Sequence, residues 1–537
     1  MTLTTWRTLR LCAFALEVDV ATQSAMQRIS SATSHPLFSV TATRQIEQRA
    51  ATGLPAHTLM QRAGLSVARL TLALAPHAQL IWVACGPGNN GGDGFEAALH
   101  LHQWGKNVVV TWTGLPDHKT TAPPDAEAVR TRALAAGVQI ASEPPPGFDF
   151  CIDALLGIGA RLDPARPSHA LMTEWLALMQ ASPAARLSVD VPTGLDADTG
   201  ATTLIASYAS SNWAGGIFCL SLLTLKPGLF TAQGRDAAGE VWFDDLGGVP
   251  TLDVAPCARL LGADQARRAP RSSLAYASHK GSFGDVAVIG GESTPRSHMS
   301  GAALLAARAA LHAGAGRVFV ALLGTPLDAQ MTVDVIQPEL MFRSADALDM
   351  KRQVIVCGCG GGDAVKNVLA RVLSTAARAV FDADALNAIS VDVQLQTLLK
   401  ARHQRGYSTV LTPHPLEAAR LLGTDAAQVQ ASRLTAASQL AERFQCVVVL
   451  KGSGTVVAAP GQGPAINSTG NALLATAGTG DVLAGMVGAG IASGVQAADD
   501  DFSAACEAVF THGQMADFWA LNKPGQALTA SLLAASQ

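Results

Sequence analysis

Three glycine-rich motifs in this sequence combine residues that could bind phosphate with residues that could move a proton. The first, Gly86–Gly94 (G-P-G-N-N-G-G-D-G), follows an apolar run, and glycines there let backbone N–H groups approach an anion closely. The second, Lys451–Thr455 (K-G-S-G-T), places a lysine at the end of another apolar run. The third, Gly478–Asp481 (G-T-G-D), opens a small-residue helix and offers a carboxylate as a general base.

Each motif also has a purely structural interpretation. Gly86–Gly94 could be a tight turn, although five glycines, two asparagines and one acid favour a ligand loop. Asp481 could simply complement a helix dipole, and taken alone the two interpretations of Asp481 are evenly balanced. Lys451 could be a solvated surface lysine, whereas its position at a strand end suits a phosphate contact. His414 lies between two prolines, which favours a rigid ligand contact over a packed core histidine.

Two further acidic loops are candidates for a cation site in the first half of the chain. Asp153–Gly159 (D-A-L-L-G-I-G) and Val189–Asp196 (V-D-V-P-T-G-L-D) each follow a strand-like run. The carboxyl ends of parallel strands meet at one edge of a sheet, so these loops should converge with Gly86–Gly94. Asn90, Asp153 and Thr193 could then supply hard oxygen ligands to a monovalent or divalent cation.

The elements that must position these motifs alternate between strand and helix. Such alternation predicts two α/β units, each with a parallel sheet covered on both faces. The predicted strands are Leu80–Cys85, Val108–Thr113, Phe148–Asp153 and Leu187–Val191, then Asp285–Gly290, Arg317–Leu323, Gln353–Gly358, Ala379–Asp382, Ser408–Leu411 and Cys446–Lys451. Long helices are predicted at about Gly301–Ala313, Asp425–Phe444 and Asp481–Ser493.

The chain of 537 residues is too long for one ordinary core, so we expect two domains. We expect an N-terminal extension at residues 1–35, a first domain at 36–248, a linker at 249–277 and a second domain at 278–537. The linker is predicted because this stretch lacks periodicity and carries three prolines, Pro250, Pro256 and Pro270.

Composition excludes several classes of partner. A net charge of −4 gives no basic surface for nucleic acid, and no apolar run is long enough to span a membrane. Nine cysteines without a C-x-x-C pair argue against a zinc site or a disulfide framework and favour the reducing cytoplasm. We therefore expect a cytoplasmic homo-oligomer that acts on small molecules.

The three N-terminal loops, in this order and spacing, resemble the NAD(P)H-hydrate epimerase family across Leu37–Gly247. The resemblance implies a Rossmann-like, doubly wound domain that interconverts the R and S forms of hydrated NADH or NADPH. It also implies that Asn90, Asp153 and Thr193 hold a potassium ion. The implied substrate contacts are Asn89, Asn90, Gly91, Gly92, Asp93, Gly157, Ile158, Gly159, Ala160, Arg161, Leu162, Asp163 and Asp190. Thr193 replaces the usual serine, and Ala206–Leu225 is longer and more apolar than the family pattern.

The C-terminal motifs, with His279–Val286 and Ser300–Gly316, resemble the ribokinase-like superfamily and, within it, the ADP- or ATP-dependent NAD(P)H-hydrate dehydratases. This resemblance runs from Ser278 to the C-terminus. The implied nucleotide contacts are Lys451, Gly452, Ser453, Gly454, Thr455 and Gly480, and the implied contacts to the hydrated cofactor are Ala303, Gly360, His414 and Asp481. Cys359 stands where the family commonly has proline.

Together the two resemblances imply a bifunctional repair enzyme. The first domain would epimerise hydrated NADH and NADPH, and the second would dehydrate the S form at the expense of ADP, giving AMP and phosphate. Asp481 would act as the base, with Mg²⁺ offsetting phosphoryl charge. Two alternatives stay open at this stage: a ribokinase-like small-molecule kinase, and a first domain that only binds ligand.

Overall fold

The computed structural model describes residues 26–114, 122–159, 161–202, 215–248, 253–266, 276–324, 333–493 and 501–535. The strands up to residue 266 are β1 Gln27–Arg28, β2 His35–Leu37, β3 Leu80–Cys85, β4 Asn107–Trp112, β5 Gln139–Ala141, β6 Phe150–Ala154, β7 Ala185–Val189, β8 Ile217–Leu222, β9 Glu240–Asp244 and β10 Ala258–Leu261. The helices of this part are α1 Val40–Thr52, α2 Thr58–Leu74, α3 Asn89–Gln103, α4 Pro124–Ala135, α5 His169–Ala181, α6 Gly234–Ala238 and α7 Ala263–Ala266.

The rest of the chain repeats the alternation. Its strands are β11 Asp285–Gly290, β12 Ser293–Thr294, β13 Ser297–His298, β14 Arg317–Leu322, β15 Met341–Phe342, β16 Val354–Cys357, β17 Arg378–Phe381, β18 Ser408–Leu411, β19 Val447–Leu450, β20 Val456–Ala458 and β21 Ala465–Asn467. Its helices are α8 Ser300–His312, α9 Lys366–Thr375, α10 Ala383–Val391, α11 Val393–Gln404, α12 Pro415–Leu422, α13 Ala426–Ala431, α14 Arg433–Phe444, α15 Thr479–Ser493, α16 Asp501–Asn522 and α17 Ala530–Ala535.

The first sheet runs in the order β1-β9-β8-β7-β6-β3-β4-β5 among the described residues, and all its pairings except β1–β9 are parallel. Its central strands are short apolar runs that are buried on both faces, as parallel strands covered by helices require. The chain leaves β3 for β4 on one side and returns with β6 on the other. This reversal creates a crevice at the carboxyl ends of β3 and β6, where doubly wound sheets bind ligands.

The second sheet runs in the order β15-β14-β11-β16-β17-β18-β19-β20-β21-β10-β2 within the described ranges. It is parallel from β15 to β19, and β20 then turns antiparallel. Alanine- and glycine-rich helices α8 and α15 pack on one face, where the backbone of Ala306 approaches Gly485 so closely that an added Cβ would lie 2.0 Å from the Ala306 carbonyl oxygen. The fold class predicted from the sequence, two α/β units built on parallel sheets, is confirmed.

The predicted linker is wrong as a description of residues 253–266. This stretch contains β10, which pairs in parallel with β21 and extends the second sheet. Within the predicted N-terminal extension, β1 joins the first sheet, and β2, at its boundary, pairs with β10 of the second. Strands of two to four residues show no periodicity of their own, because their pairing is set by tertiary contacts. The division into domains at 36–248 and 278–537 stays a prediction.

The predicted helix Asp425–Phe444 is also wrong in one respect, because two helices occupy this stretch. The chain breaks at Ser432, whose φ of −151° and ψ of 64° are not helical, so α13 ends at Ala431 and α14 begins at Arg433. The break turns Arg433 into the buried interior. In the part of the chain that the structure describes, no helix has both the length and the apolar character needed to cross a membrane.

Two candidate active sites

The first candidate site is a cavity of about 550 Å³ at the carboxyl ends of β3, β6 and β7. Residues after each strand line it, as the sequence predicted for these loops. Helices α1 and α2 close the opposite side with side chains such as Arg44, Glu47 and Met60. The predicted substrate residues that line the cavity are Asn89, Asn90, Asp93, Gly157, Ile158, Gly159 and Asp190.

The motif Gly86–Gly94 differs from the predicted ligand loop, because helix α3 already begins at Asn89. Packing restricts all of its glycines except Gly88. A Cβ on Gly91 would lie 1.9 Å from the Gly86 carbonyl oxygen, and one on Gly94 would lie 2.6 Å from the Ala154 Cβ. A Cβ on Gly92 would meet the Met60 side chain in the same way. Gly91 and Gly92 therefore face protein atoms and do not line the cavity.

Asp153, Thr193 and Asn90 come together beside this cavity. The fully buried Asp153 carboxylate accepts hydrogen bonds from the Thr193 hydroxyl at 2.7 Å and the Thr193 backbone N–H at 3.0 Å. Asn90 lies in the first turn of α3 against Gly157, and its buried Nδ2 has no partner among the described residues. No lysine or arginine pairs with Asp153 in the described part of the chain. A buried carboxylate without a basic partner, surrounded by oxygens, fits a monovalent cation.

An ion pair between Asp190 and Lys226 stands at one wall of the cavity. The Lys226 ammonium is fully buried, donates to Asp190 Oδ1, and also donates to the Leu222 carbonyl oxygen at 2.7 Å. Asp190 holds a left-handed φ of 66°, a conformation that costs energy for a residue with a side chain and that is concentrated at functional sites. The sequence indicated Asp190 as a substrate contact. It gave no such signal for Lys226, because the approach of Lys226 to Asp190 depends on the pairing of β7 with β8.

Two more acids share the cavity with Asp190. Burial, together with the charges of Asp190 and Glu47, raises the pKa of Asp93 well above its ordinary value. Burial and the charge of Asp190 also raise the pKa of Glu47. Like charges that cannot all ionise at close range leave neutral acids beside an ionised one, which suits proton transfer. Sequence reasoning missed Glu47, because it lies on α1 without any motif around it.

Besides Gly91 and Gly92, three of the predicted substrate residues do not line this cavity. The Leu162 side chain packs into an apolar cluster with Trp82 and Trp175, because it follows the buried end of β6. Arg161 pairs with Asp196, and Asp163 caps the turn at Ala165, so neither lines the cavity. Ala160 lies outside the described residues, as do residues 206–214 of the atypical segment Ala206–Leu225.

The second candidate site gathers side chains from three strand ends of the second sheet. Asp382, directly after β17, accepts hydrogen bonds from the Lys451 ammonium at 2.6 Å and the Thr412 hydroxyl at 2.7 Å. Lys451 follows β19, and its Nζ lies 3.3 Å from where a Cβ on Gly480 would stand. The structure therefore brings together Lys451, Gly480 and the acids that the sequence indicated from separate motifs.

Asp481 lies in the first turn of α15, next to this ion pair. Burial and the charge of Asp382 raise the pKa of Asp481 to about 6, while a hydrogen bond with the Cys359 thiol lowers it in part. The Cys359 Sγ also lies 4.0 Å from Asp382 Oδ2. Asp481 is thus a half-buried carboxylate that is ionised near neutral pH and retains affinity for a proton. These are the properties of a general base.

The loop Lys451–Thr455 is held in place by its own backbone geometry and by neighbouring groups. Gly452 and Gly454 have φ values of 133° and 59°, which favour glycine. The Thr455 hydroxyl donates to the Gly452 carbonyl oxygen at 3.0 Å, and the Lys451 backbone N–H donates to the Pro413 carbonyl oxygen at 2.9 Å. The loop is therefore ordered by its own backbone and by Pro413, and Lys451 is the loop residue that lies close to Gly480.

The remaining predicted contacts differ in accessibility. His414 caps helix α12 and forms a capping box with Glu417, and its side chain is still 45% exposed beside the Lys451 strand end. Gly360 has a φ of 58° and packs against Met299. Ala303 is fully buried on α8 and presents no exposed side chain. The sequence predicted a rigid His414 from the two prolines beside it. In the structure, the hydrogen bonds by which His414 caps α12 supply that rigidity.

The side-chain cluster does not fit a Mg²⁺ site. Cys359, Asp382 and Asp481 place ligand atoms within 4.8 Å of one another, but a thiol is a poor ligand for Mg²⁺. Asp382 is moreover already neutralised by Lys451. Mg²⁺ is commonly held through substrate phosphates and water with one or two carboxylates. Any Mg²⁺ at this site would have to be held mainly by the nucleotide.

Comparisons with known proteins place these two sites in a family. A model described as "NAD(P)H-hydrate dehydratase" matches residues 286–537, and one described as "YjeF-related protein N-terminus" matches residues 56–228. A solved Bacillus subtilis ADP/ATP-dependent NAD(P)H-hydrate dehydratase, co-crystallised with ATP/Mg²⁺, is 29% identical, covering 49% of this chain and 90% of its own with a TM-score of 0.39.

Curated relatives match both halves of the chain. The bifunctional NAD(P)H-hydrate repair enzyme of Escherichia coli strain K12 is 34% identical over 516 residues, which covers 92% of each protein. The ADP-dependent (S)-NAD(P)H-hydrate dehydratase of Neisseria meningitidis is 42% identical over 263 residues, 48% of this chain and 83% of the relative. The chain therefore belongs to the family of bifunctional NAD(P)H-hydrate repair enzymes.

Proposed function

We propose that the chain repairs hydrated NADH and NADPH in two steps, one at each site. The first domain, residues 36–248, equilibrates the R and S forms at C6 of the nicotinamide ring. The second domain, residues 278–537, dehydrates the S form. The observation that carries the proposal is the position of Asp481, a carboxylate with a pKa of about 6 beside the partly buried Lys451 ammonium and two glycine-rich loops.

The dehydration step needs a base, an anion-stabilising site and a leaving group. Asp481 accepts the proton of the C6 hydroxyl while the oxygen of that hydroxyl attacks the β-phosphorus of ADP. AMP leaves with the bridging oxygen. The C6–O bond then breaks with release of phosphate, and loss of the C5 proton restores the conjugated ring. Lys451 and the backbone N–H groups near Gly480 stabilise the charge on the transferring phosphoryl group.

The epimerisation step needs one group that accepts a proton and one that donates it. C6 of the hydrate carries both a hydroxyl and the ring nitrogen, so opening the C6–N1 bond and closing it on the other face inverts the centre. Asp190, oriented by Lys226, accepts the hydroxyl proton, and Asp93, whose raised pKa favours its protonated form, donates a proton to N1. Closure reverses both transfers, so no atom or electron is gained or lost.

Potassium is the cation that the resemblance implies for the first site, and Asn90, Asp153 and Thr193 would hold it. The fit rests on the buried Asp153 carboxylate, which lacks a basic partner among the described residues. When bound, the ion would supply positive charge beside Asp153. Mg²⁺ would reach the second site with ADP and would supply positive charge there. We also propose that the protein assembles as a homo-oligomer.

The test uses purified R and S hydrates of NADH in separate reactions with ADP and Mg²⁺. Return of the near-ultraviolet absorbance of NADH from the S form establishes dehydration, and return from the R form establishes both steps. A lasting phosphorylated product without NADH would instead support a small-molecule kinase. Repair of S without R would support a first domain that only binds ligand. Replacing K⁺ with tetramethylammonium should slow only the use of the R form.

A further inference from the structure

A short segment of the first domain packs directly on the nucleotide loop of the second. This segment, Pro227–Ala238, comprises a 3₁₀ turn at Pro227–Phe230 and helix α6, and we call it the bridging segment. It follows the Lys226 of the first site. Its partner surface is formed by Lys451–Thr455 and by Ser468–Gly470, which precedes the loop carrying Asp481.

Thr231 is the central contact of the bridging segment. Its fully buried hydroxyl lies 3.3 Å from the Ser453 carbonyl oxygen and 3.2 Å from that of Gly454, and it donates to this pair. The next residue, Ala232, donates its backbone N–H to the Ser453 carbonyl oxygen at 3.2 Å. Two adjacent residues of the first domain thus fix the carbonyl groups at the tip of the predicted phosphate loop.

Arg433 joins Thr231 to the base of the same loop. Its guanidinium is fully buried and donates from Nε to the Thr231 hydroxyl at 3.0 Å. Nη2 donates to the carbonyl oxygens of Leu450 and Lys451 at 3.2 and 3.1 Å. All its acceptors in the described part of the chain are uncharged, including Gln430. Removing one acceptor would leave a buried charged donor unpaired, which is costly.

The close approach explains one glycine of the loop without reference to a ligand. A Cβ on Gly454 would stand 1.9 Å from the Phe230 carbonyl oxygen, so only glycine allows the two backbones to meet. On the other side, Arg235 of α6 donates to the Thr469 and Gly470 carbonyl oxygens at 3.3 and 2.9 Å. The bridging segment therefore contacts the chain on both sides of the second site.

We propose that Thr231 is a positioning residue for ADP binding: the first domain holds the loop Lys451–Thr455 in its nucleotide-binding conformation. This rests on the proposed dehydratase function. Glycine-rich loops lose conformational freedom when they bind phosphate, and a loop that is already ordered binds more tightly. Because Thr231 is fully buried, it would act on ADP only through Ser453, Gly454 and Arg433.

The test compares Thr231→Val and Thr231→Ser in the full chain. Valine keeps the volume and removes the hydroxyl, whereas serine keeps the hydroxyl. Thr173→Val is the matched control, because among the described residues the Thr173 hydroxyl bonds only to the His169 carbonyl oxygen of its own helix. Calorimetric titration with ADP and Mg²⁺ should give a Kd raised about tenfold in Thr231→Val and within about twofold of wild type in the other two.

Steady-state rates separate positioning from a loss of folded protein. In Thr231→Val the KM for ADP should rise while kcat at saturating ADP stays near wild type, because Asp481 is untouched. Epimerisation by the same molecules should be unchanged, which reports that the first domain is folded. Unchanged ADP affinity in Thr231→Val, or a lower kcat without a change in KM, would overturn the proposal. ADP binding without any NADH formed by the wild type would refute the dehydratase function instead.

Discussion

The glycine motifs of the two domains are similar in sequence and differ in what their glycines face. In Gly86–Gly94, added Cβ atoms on Gly91 and Gly94 would collide with Gly86, Ala154 and other protein atoms. In Gly478–Asp481, a Cβ on Gly478 would also collide, at 2.6 Å from the Leu305 side chain, whereas one on Gly480 would lie 3.3 Å from the Lys451 ammonium. The first motif brings a helix close to a sheet, whereas Gly480 of the second faces a reactive group.

The difference teaches where the chemistry of each site is encoded. In the second domain the base lies inside its own motif, and a strand-end lysine completes the site. In the first domain the proposed proton-transfer groups, Asp190 with Lys226 and Asp93, come from three separate elements. A change to Asp481 should therefore abolish the second activity, whereas the first activity should also be lost on changes to Asp190 and Lys226, which lie outside the motif that carries Asp93.

Asp481→Asn should have the largest effect, because it removes the base while keeping the size of the side chain. We expect dehydration to fall by about 10³-fold or more, with epimerisation of R and S hydrates unchanged. Chromatographic separation of the two epimers measures the second rate. Asp392→Asn is the matched control, since Asp392 also lies at a helix N-terminus and only caps α11. Equal dehydration by Asp481→Asn and wild type would refute the base assignment.

Lys226→Met should give the complementary result. It leaves Asp190 without its buried partner, and we expect epimerisation to fall by about 100-fold. Breaking a buried ion pair should also lower the free energy of unfolding by about 3 kcal/mol. Lys366→Met serves as the control, because Lys366 forms an exposed pair with Asp363. Normal use of the R hydrate by Lys226→Met would show that the first site operates without this pair.

Gly94→Ala and Gly88→Ala test whether the first motif is used for packing. A Cβ on Gly94 would lie 2.6 Å from Ala154, whereas one on Gly88 meets nothing within 4 Å. We expect Gly94→Ala to lower the free energy of unfolding by about 2 kcal/mol and Gly88→Ala by less than about 0.5 kcal/mol. Denaturant unfolding measures both. Since Gly88 lines the cavity, slower epimerisation in Gly88→Ala would indicate close contact with the ligand.

The sequence predicted the parts of the fold and site that depend on local pattern. Buried strands such as β3, β11 and β18 were predicted at their observed limits, and Asp481 and Lys451 were indicated by motifs that the fold unites. What it could not predict depends on contacts between distant segments. The pairing of β2 with β10 and the burial of Arg433 against Thr231 have no local signal.

The smallest effect concerns Cys359, which stands where proline is common and contacts Asp481. Burial raises the pKa of Asp481 to about 6, so the carboxylate is protonated and inactive at lower pH. Dehydration, but not epimerisation, should therefore fall about tenfold for each pH unit below that value. The Cys359 thiol lowers the pKa of Asp481 by hydrogen bonding. Cys359→Ala should therefore move the acid limb, the low-pH side of the dehydration rate plotted against pH, to higher pH by less than about one unit. Cys359→Ser keeps a donor and should leave the limb in place. A limb at the same pH in all three proteins would show that the thiol does not tune the base, and would leave burial and Asp382 as the groups that set its pKa.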